Sequence, residues 1–193
     1  MSRVVVACLG DSITEGSPYW DSRRRIGNPM GQWEHWASLR HPDLELRNFG
    51  IWGQRTDEIA SRFDEAVHRA DALVVQGGIN DIAQGRKVDT AAVVLEAMVE
   101  RGLDLGIAVA VCDVLPWNNG GPNAERPIRE LNERIHELDV PLLSFHDTLE
   151  DPDRPGRMKP EWTHSDGDHP SIAGYRRLGE LAFRFPFGGL TRV

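Results

Sequence analysis

The sequence is short of several things, and each shortage removes a class of protein. It has only two cysteines, Cys8 and Cys112, each inside an apolar run. That excludes a disulfide-stapled scaffold and leaves both as small buried hydrophobes. Basic residues are outnumbered, 22 Lys and Arg against 30 Asp and Glu, for a net charge of −8. Nucleic acid and anionic membranes both demand a basic face, so neither partner is expected. No apolar run reaches the roughly 18 residues of a membrane span, so no membrane insertion is expected. The opening MSRVVVACLG has no small-residue cleavage site; it reads as a first strand and not a secretory signal, and a cytoplasmic location is expected. Repeats, low-complexity tracts and linkers are lacking, so residues 1–193 are expected to form one domain. GDSITEGS has neither the spacing nor the lysine of a phosphate-cradling G-x-x-x-x-G-K-S/T loop, and it lacks the second glycine of a G-x-S-x-G elbow.

What is present is alternation. Short apolar runs at 3–9, 44–49, 72–76, 107–115 and 141–146 read as strands. Between them lie amphipathic segments at 28–39, 55–70, 89–103, 123–138 and 170–185. Ile59, Phe63 and Val67 stand four apart, and Ile128, Leu131, Ile135 and Leu138 make a second stripe, which is helical spacing. Asn28 followed by Pro29 reads as a helix start. The runs holding Val4–Leu9, Ala72–Gln76 and Ile107–Leu115 show no polar alternation, as expected of strands covered on both faces. Such strand–helix alternation predicts an α/β fold, a three-layer α/β/α sandwich on a parallel sheet. The irregular stretches 10–28, 116–123 and 147–169 then fall at the carboxyl edge of the sheet, where open α/β folds build their sites.

Four short segments share that edge: Gly10-Asp11-Ser12, NFGIWG (48–53), GGIND (77–81) and DGDHP (166–170). Ser12 can be a helix cap or a nucleophile. His169 can be a base, and Asp166, three residues earlier, can reach its other ring nitrogen and fix the tautomer. The Asn80 side chain and a glycine N–H can hold an oxyanion; Asn80 can equally be a turn former.

In order and approximate spacing these four blocks resemble those of the SGNH (GDSL) hydrolases, in a lysophospholipase or acyl-esterase-like branch, over nearly the whole chain. The resemblance implies a flavodoxin-like five-stranded parallel sheet of order 2-1-3-4-5. It implies a catalytic triad of Ser12, Asp166 and His169, with an oxyanion hole from the N–H groups of Ser12 and Gly53 and the side chain of Asn80. Gly53 is chosen over Gly50 because the family's glycine stands five residues after an Asn such as Asn48. The activity implied is serine-dependent hydrolysis of a small-molecule carboxylic ester, by an acyl-esterase, a lipase or a carbohydrate deacetylase, through an acyl-enzyme, with no cofactor and no metal. The implied strand order keeps Cys8 and Cys112 apart, so no bridge between them is expected.

The chain departs from the family pattern at Asp168, where an apolar residue is usual before the histidine. Pointing inward it raises the His169 pKa; pointing to water it does nothing. His164 is a second histidine near the site, read as a bystander. Trp20, Trp52 and Trp117 sit on the active edge and either wall a substrate pocket, beside Asp11, or cover the core's rim. DSRRR (21–25) either draws anionic substrates or is a solvated loop. WNNGGPN (117–123) reads as a mobile lid. Two rivals remain: a metal-dependent phosphoesterase built on Asp11, Asp166, Asp168 and His169, and a non-catalytic binding domain that kept the fold.

Overall fold

Val4–Gly10 (β1) is buried along its whole length, because helices cover both faces of the strand. Its side chains alternate between two cores: Val4, Val6 and Cys8 face one, Ala7 and Leu9 the other. The computed structural model describes residues 3–121, 123–184 and 187. Four further parallel strands join β1: Leu44–Gly50 (β2), Ala72–Val75 (β3), Ala108–Cys112 (β4) and Leu142–Leu143 (β5). The order is β2-β1-β3-β4-β5, the 2-1-3-4-5 arrangement expected. β1 pairs with β2 over seven residues, from Val4 with Leu44 to Gly10 with Gly50, which sets the ends of both strands level at the carboxyl edge.

On the first face lie Trp33–Arg40 (α2), Phe145–Leu149 (α8) and Ile172–Arg177 (α9), the last widening into a π-helical turn at Leu178–Ala182. Trp33, Phe145, Tyr175 and Phe183 are fully buried there, and Phe187 joins them. The other face carries Thr56–Ala60 (α3), Phe63–Val67 (α4), Val88–Asp104 (α6) and Glu125–His136 (α7). Ile59, Phe63, Leu95, Leu131 and Ile135 fill that core. Each such side chain, once fully buried, contributes about 1.5–3 kcal/mol. Ser12–Glu15 (α1) and Ile79–Ala83 (α5) are single turns at the carboxyl edge.

Several boundaries differ from expectation, each for a local reason. The segment 55–70 is two short helices, though Ile59, Phe63 and Val67 are buried as their spacing predicts. Asn28 caps as expected, its side chain accepting from Met30 N at 3.0 Å, but it opens only a 3₁₀ turn, and α2 begins at Trp33. β4 stops at Cys112 because the Asn132 side-chain amide takes over the backbone of Val114, at 2.7 and 3.0 Å. β5 is two residues long, not six: the buried Asp113 carboxylate accepts from His146 N at 2.7 Å and turns the chain into α8. A two-stranded ribbon of Glu150–Asp151 with Arg154–Met158 follows, inside the stretch 147–169 that the sequence predicts to be irregular. The last predicted helix ran to 185, which lies outside the described residues, as do 188–193 of the C-terminal segment. Cys8 and Cys112 are free and buried, on strands with β3 between them.

Candidate active site

The carboxyl ends of β1, β2 and β3 each deliver one element of the site. After β1, Asp11 caps α1, its Oδ1 accepting from Ile13 N at 2.9 Å. This turn presents Ser12 with its own N–H at the helix start, where no intrahelical acceptor exists. Gln76, at the end of β3, locks the turn by accepting from Asp11 N (3.2 Å) and from Thr14 Oγ1 (2.9 Å). β2 lies so close that a Cβ on Gly50 would sit 2.0 Å from Glu15 N; only glycine lets the two turns meet. Gly53 follows with φ +76°, a conformation glycine adopts freely. Among the described residues neither the Ser12 nor the Gly53 N–H has a protein acceptor. After β3, Asn80 donates from Nδ2 to Gln54 O at 2.9 Å, which fixes the amide and leaves its second N–H available.

The histidine comes from the other end of the chain. His169 Nε2 lies 3.0 Å from Ser12 Oγ, and its Nδ1 lies 2.8 Å from Asp166 Oδ2. The second Asp166 oxygen accepts the backbone N–H groups of Asp168 (2.9 Å) and His169 (3.1 Å). Partial burial works to raise the Asp166 carboxyl, but these N–H groups and the imidazole outweigh it and bring the pKa down to about 2. It is therefore a fixed anion behind the ring. Ser12 is 5% exposed and the His169 side chain 12%, so the pair is shielded yet reachable. Such a chain can move a proton from hydroxyl to imidazole and stabilise the imidazolium formed.

A strap from the end of β4 holds the histidine loop. Asp168 Oδ1 accepts from Trp117 Nε1 at 2.7 Å and from Asn119 Nδ2 at 3.0 Å. Asn119 also donates through Nδ2 to Asp166 O and through its backbone N to Gly167 O, the latter at 3.3 Å. Asn118 reaches Met158 O (3.1 Å) and Thr163 Oγ1 (3.0 Å), and Arg157 donates to the carbonyls of Trp117 and Asn118. Beneath the strap a crevice of about 10 Å³ opens between Ile13, Ile79, Val114, Leu115 and Trp117, each from a turn that carries or adjoins a site residue.

The family model of the GDSL-like lipase/acylhydrolase family matches residues 8–177. The chain belongs to the GDSL-like lipase/acylhydrolase family. Membership makes it an acyl-ester hydrolase by class. Among curated proteins, none matches the sequence. Solved structures share the fold of this GDSL-family chain. One is a G-D-S-L family protein from Desulfitobacterium hafniense DCB-2, 23% identical, with a TM-score of 0.78 over 92% of this chain and 97% of that one. Another is a member of the lipolytic G-D-S-L family from Veillonella parvula DSM 2008, 20% identical, TM-score 0.75, covering 91% and 93%. A third is an acetyl xylan esterase from Geobacillus stearothermophilus, 18% identical, TM-score 0.75, covering 100% and 98%.

The GDSL-family site brings together Ser12, Asp166 and His169, with Gly53 and Asn80 on the adjoining turns. It corrects other expectations. Asp11 does not reach a substrate: it is fully buried beneath Ser12, with Oδ2 unpartnered. Burial lifts its carboxyl to about 6, against the opposing pull of the Ile13 and Gln76 hydrogen bonds and the nearby His169. Asp168 is exposed, as its outward reading has it, and its carboxylate also holds the strap. Residues 117–121 are accordingly a tied strap and not a free lid. His164 is more than a bystander, with Nδ1 3.0 Å from Asp166 Oδ2 and its ring edge-on to Tyr19. Trp117 walls the crevice, while Trp20 and the 63%-exposed Trp52 flank a separate cleft. The carboxylates of the metal-dependent rival point to different partners. Among the described residues the group that could gather around an ion is elsewhere, at His146, Asp147 and Glu150. The sequence reading missed Gln54, Gln76, Asn118, Asn119 and Arg157. The paired amides of WNNGG were the one available signal, because such side chains stranded in an apolar loop need partners.

Proposed function

We propose that this chain hydrolyses carboxylic esters of short acyl groups through an acyl-enzyme on Ser12. The observation that carries the reading is the unbroken line Ser12 Oγ–His169 Nε2–Asp166, at 3.0 and 2.8 Å. Ser12 Oγ attacks the acyl carbon as His169 Nε2 takes its proton. The carbonyl oxygen becomes an oxyanion, held by the N–H groups of Ser12 and Gly53 and the free N–H of Asn80. The carbon–oxygen bond to the alcohol breaks, and the alcohol leaves with the proton from Nε2. Water then attacks the acyl-enzyme with His169 again as base, releasing the acid and restoring Ser12. Asp166 stays ionised throughout and holds the imidazolium.

The acyl-size reading is supported by the crevice bordered by Ile13, the residue after Ser12. Its volume of about 10 Å³ is near that of a single water-sized probe, which suits the methyl of an acetyl group. Buried free thiols on β1 and β4 suit a reducing cytoplasm. Among the described residues no helix is long and apolar enough to cross a membrane.

The test is a fluorophosphonate label together with p-nitrophenyl esters from acetyl to palmitoyl. Wild-type protein should label and turn over the acetyl ester fastest. Ser12→Ala should lose the label and at least ~10⁴-fold in kcat. Labelling that survives in Ser12→Ala removes the nucleophile; a palmitoyl optimum removes the acyl-size argument.

A further inference from the structure

The site described so far accounts for the acyl half of an ester and leaves the alcohol half without a place. A cleft of about 640 Å³ opens along the edge strand β2. Its lining carries Arg23, Arg25, Arg47 and Arg62 against one carboxylate, Glu65. Arg47 is neutralised by Glu45 at 2.7 Å. Arg62 is half-buried and spends its N–H groups on uncharged acceptors: Phe49 O (2.8 Å), Gly10 O (3.1 Å) and Gln54 Oε1 (2.7 and 2.9 Å). Glu65 acts on it only through space, and burial works against its charge. Arg23 and Arg25 are exposed and pair with no carboxylate among the described residues; the acidic neighbours in their loop are taken. Asp21 holds Arg24, and Glu15 accepts from Ser17 Oγ and Ser22 N. Setting Glu65 and Glu45 against the four arginines leaves two cations unanswered, in a chain whose net charge is −8.

The cleft shares its lining with a second hollow next to the serine turn, which Glu15 and Ser17 border. Trp20 and Arg23 line both, and the second, of about 280 Å³, includes Trp52. Trp52 directly precedes Gly53, the proposed oxyanion donor. Trp52, Trp20, Arg23 and Arg25 thus lie along two adjoining hollows. Guanidinium forks match planar carboxylates and phosphates, and aromatic faces accept the flat or ring-shaped part of an alcohol at low entropic cost.

We propose that this cleft binds the alcohol half of the ester, and that this alcohol carries an anionic group, a phosphate or a carboxylate, held by Arg23 and Arg25; the proposal rests on the acyl-hydrolase reading above.

Three acetyl esters test it: 1-acetylglycerol 3-phosphate, an acetylated glucuronic acid and neutral 1-acetylglycerol. Wild-type protein should favour at least one anionic ester over the neutral one by about tenfold in kcat/KM, the scale of a charge-assisted hydrogen bond. Added salt should erode that preference. The two anionic arms distinguish phosphate from carboxylate. In the Arg23→Ala/Arg25→Ala protein the ratio should fall to near one; because a ratio within one protein is read, partial misfolding does not imitate this result. Equal rates on all three esters, or an unchanged ratio in the double variant, overturns the proposal. Titration of glycerol 3-phosphate and glucuronate into Ser12→Ala protein separates the two readings. Binding of either that disappears with Arg23 and Arg25 sustains the cleft even if no ester is turned over. Acetyl-ester turnover without binding of either anion overturns the cleft and leaves the hydrolase standing.

Discussion

The two halves of the site are built by different means. Ser12, Gly53 and Asn80 hang from the ends of three buried strands, and backbone pairing fixes where they stand. Asp166 and His169 belong to a loop that no strand of the main sheet holds. Their position depends on polar side chains: Asn118, Asn119, Arg157 and Asp168 tie the loop to the end of β4, and Tyr175 OH donates to Ser17 O at 2.7 Å to bring α9 up to the serine turn. A ladder of backbone hydrogen bonds places the proposed acceptor of the acyl group; a mesh of amide, guanidinium and carboxylate places its proposed base. The first is insensitive to most single substitutions. The second can be loosened by removing one acceptor.

Three changes sharpen or break this contrast. The largest effect is expected on the strand-borne side, but at a side chain. Asn80→Ala removes the proposed oxyanion donor and should cost on the order of 10²–10³ in kcat with KM little changed. A loss under about threefold on p-nitrophenyl acetate would make Asn80 a turn former only.

The next concerns the support beneath Ser12. Burial raises Asp11 to about 6 when folded, against 3.8 for a free aspartate side chain. The folded state thus holds this proton between those values while the unfolded chain has lost it, so this contribution is present below about pH 4 and disappears as pH rises through about 6. The shift corresponds to about 3 kcal/mol. Asp11→Asn keeps a capping side chain and should flatten that fall. Urea denaturation of both proteins at pH 4.5 and 7.5 reads it; equal losses in the two would show that Asp11 is not the group responsible.

The smallest effect is expected at the mesh. Asp168→Leu puts an apolar residue where the family usually has one, and strips Trp117 and Asn119 of their shared acceptor. It should cost about 1–2 kcal/mol of stability. With Trp117 released, the crevice should widen and the acetyl-to-butyryl preference should shrink. An unchanged chain-length profile would mean that Trp117 is held by packing alone.

Legibility in the sequence followed the same division. Strand-end motifs are contiguous, so Gly10-Asp11-Ser12, NFGIWG and GGIND could be placed on one edge from the alternation of apolar runs alone. Val4–Leu9 read as buried because a strand covered on both faces has no polar alternation. The mesh was opaque because its partners lie 39 to 51 residues apart in sequence, as between Asn118 and Arg157 or Trp117 and Asp168. No local pattern records such pairs. The same cause shortened β5: six apolar-leaning residues satisfy a strand by propensity, yet one distant carboxylate, Asp113, redirects the chain after two. Asp168 shows the limit most sharply. Its identity departs from the family pattern, and its neighbours in sequence say nothing of the indole it holds.

Ser12 and His169 are separated by 157 positions. A nascent polypeptide emerging from the ribosome therefore exposes its hydroxyl long before the imidazole exists to activate it. Truncated products ending between Asn80 and Asp168 carry the turns proposed to hold the oxyanion but no His169, so on that reading they lack the base while synthesis is still under way.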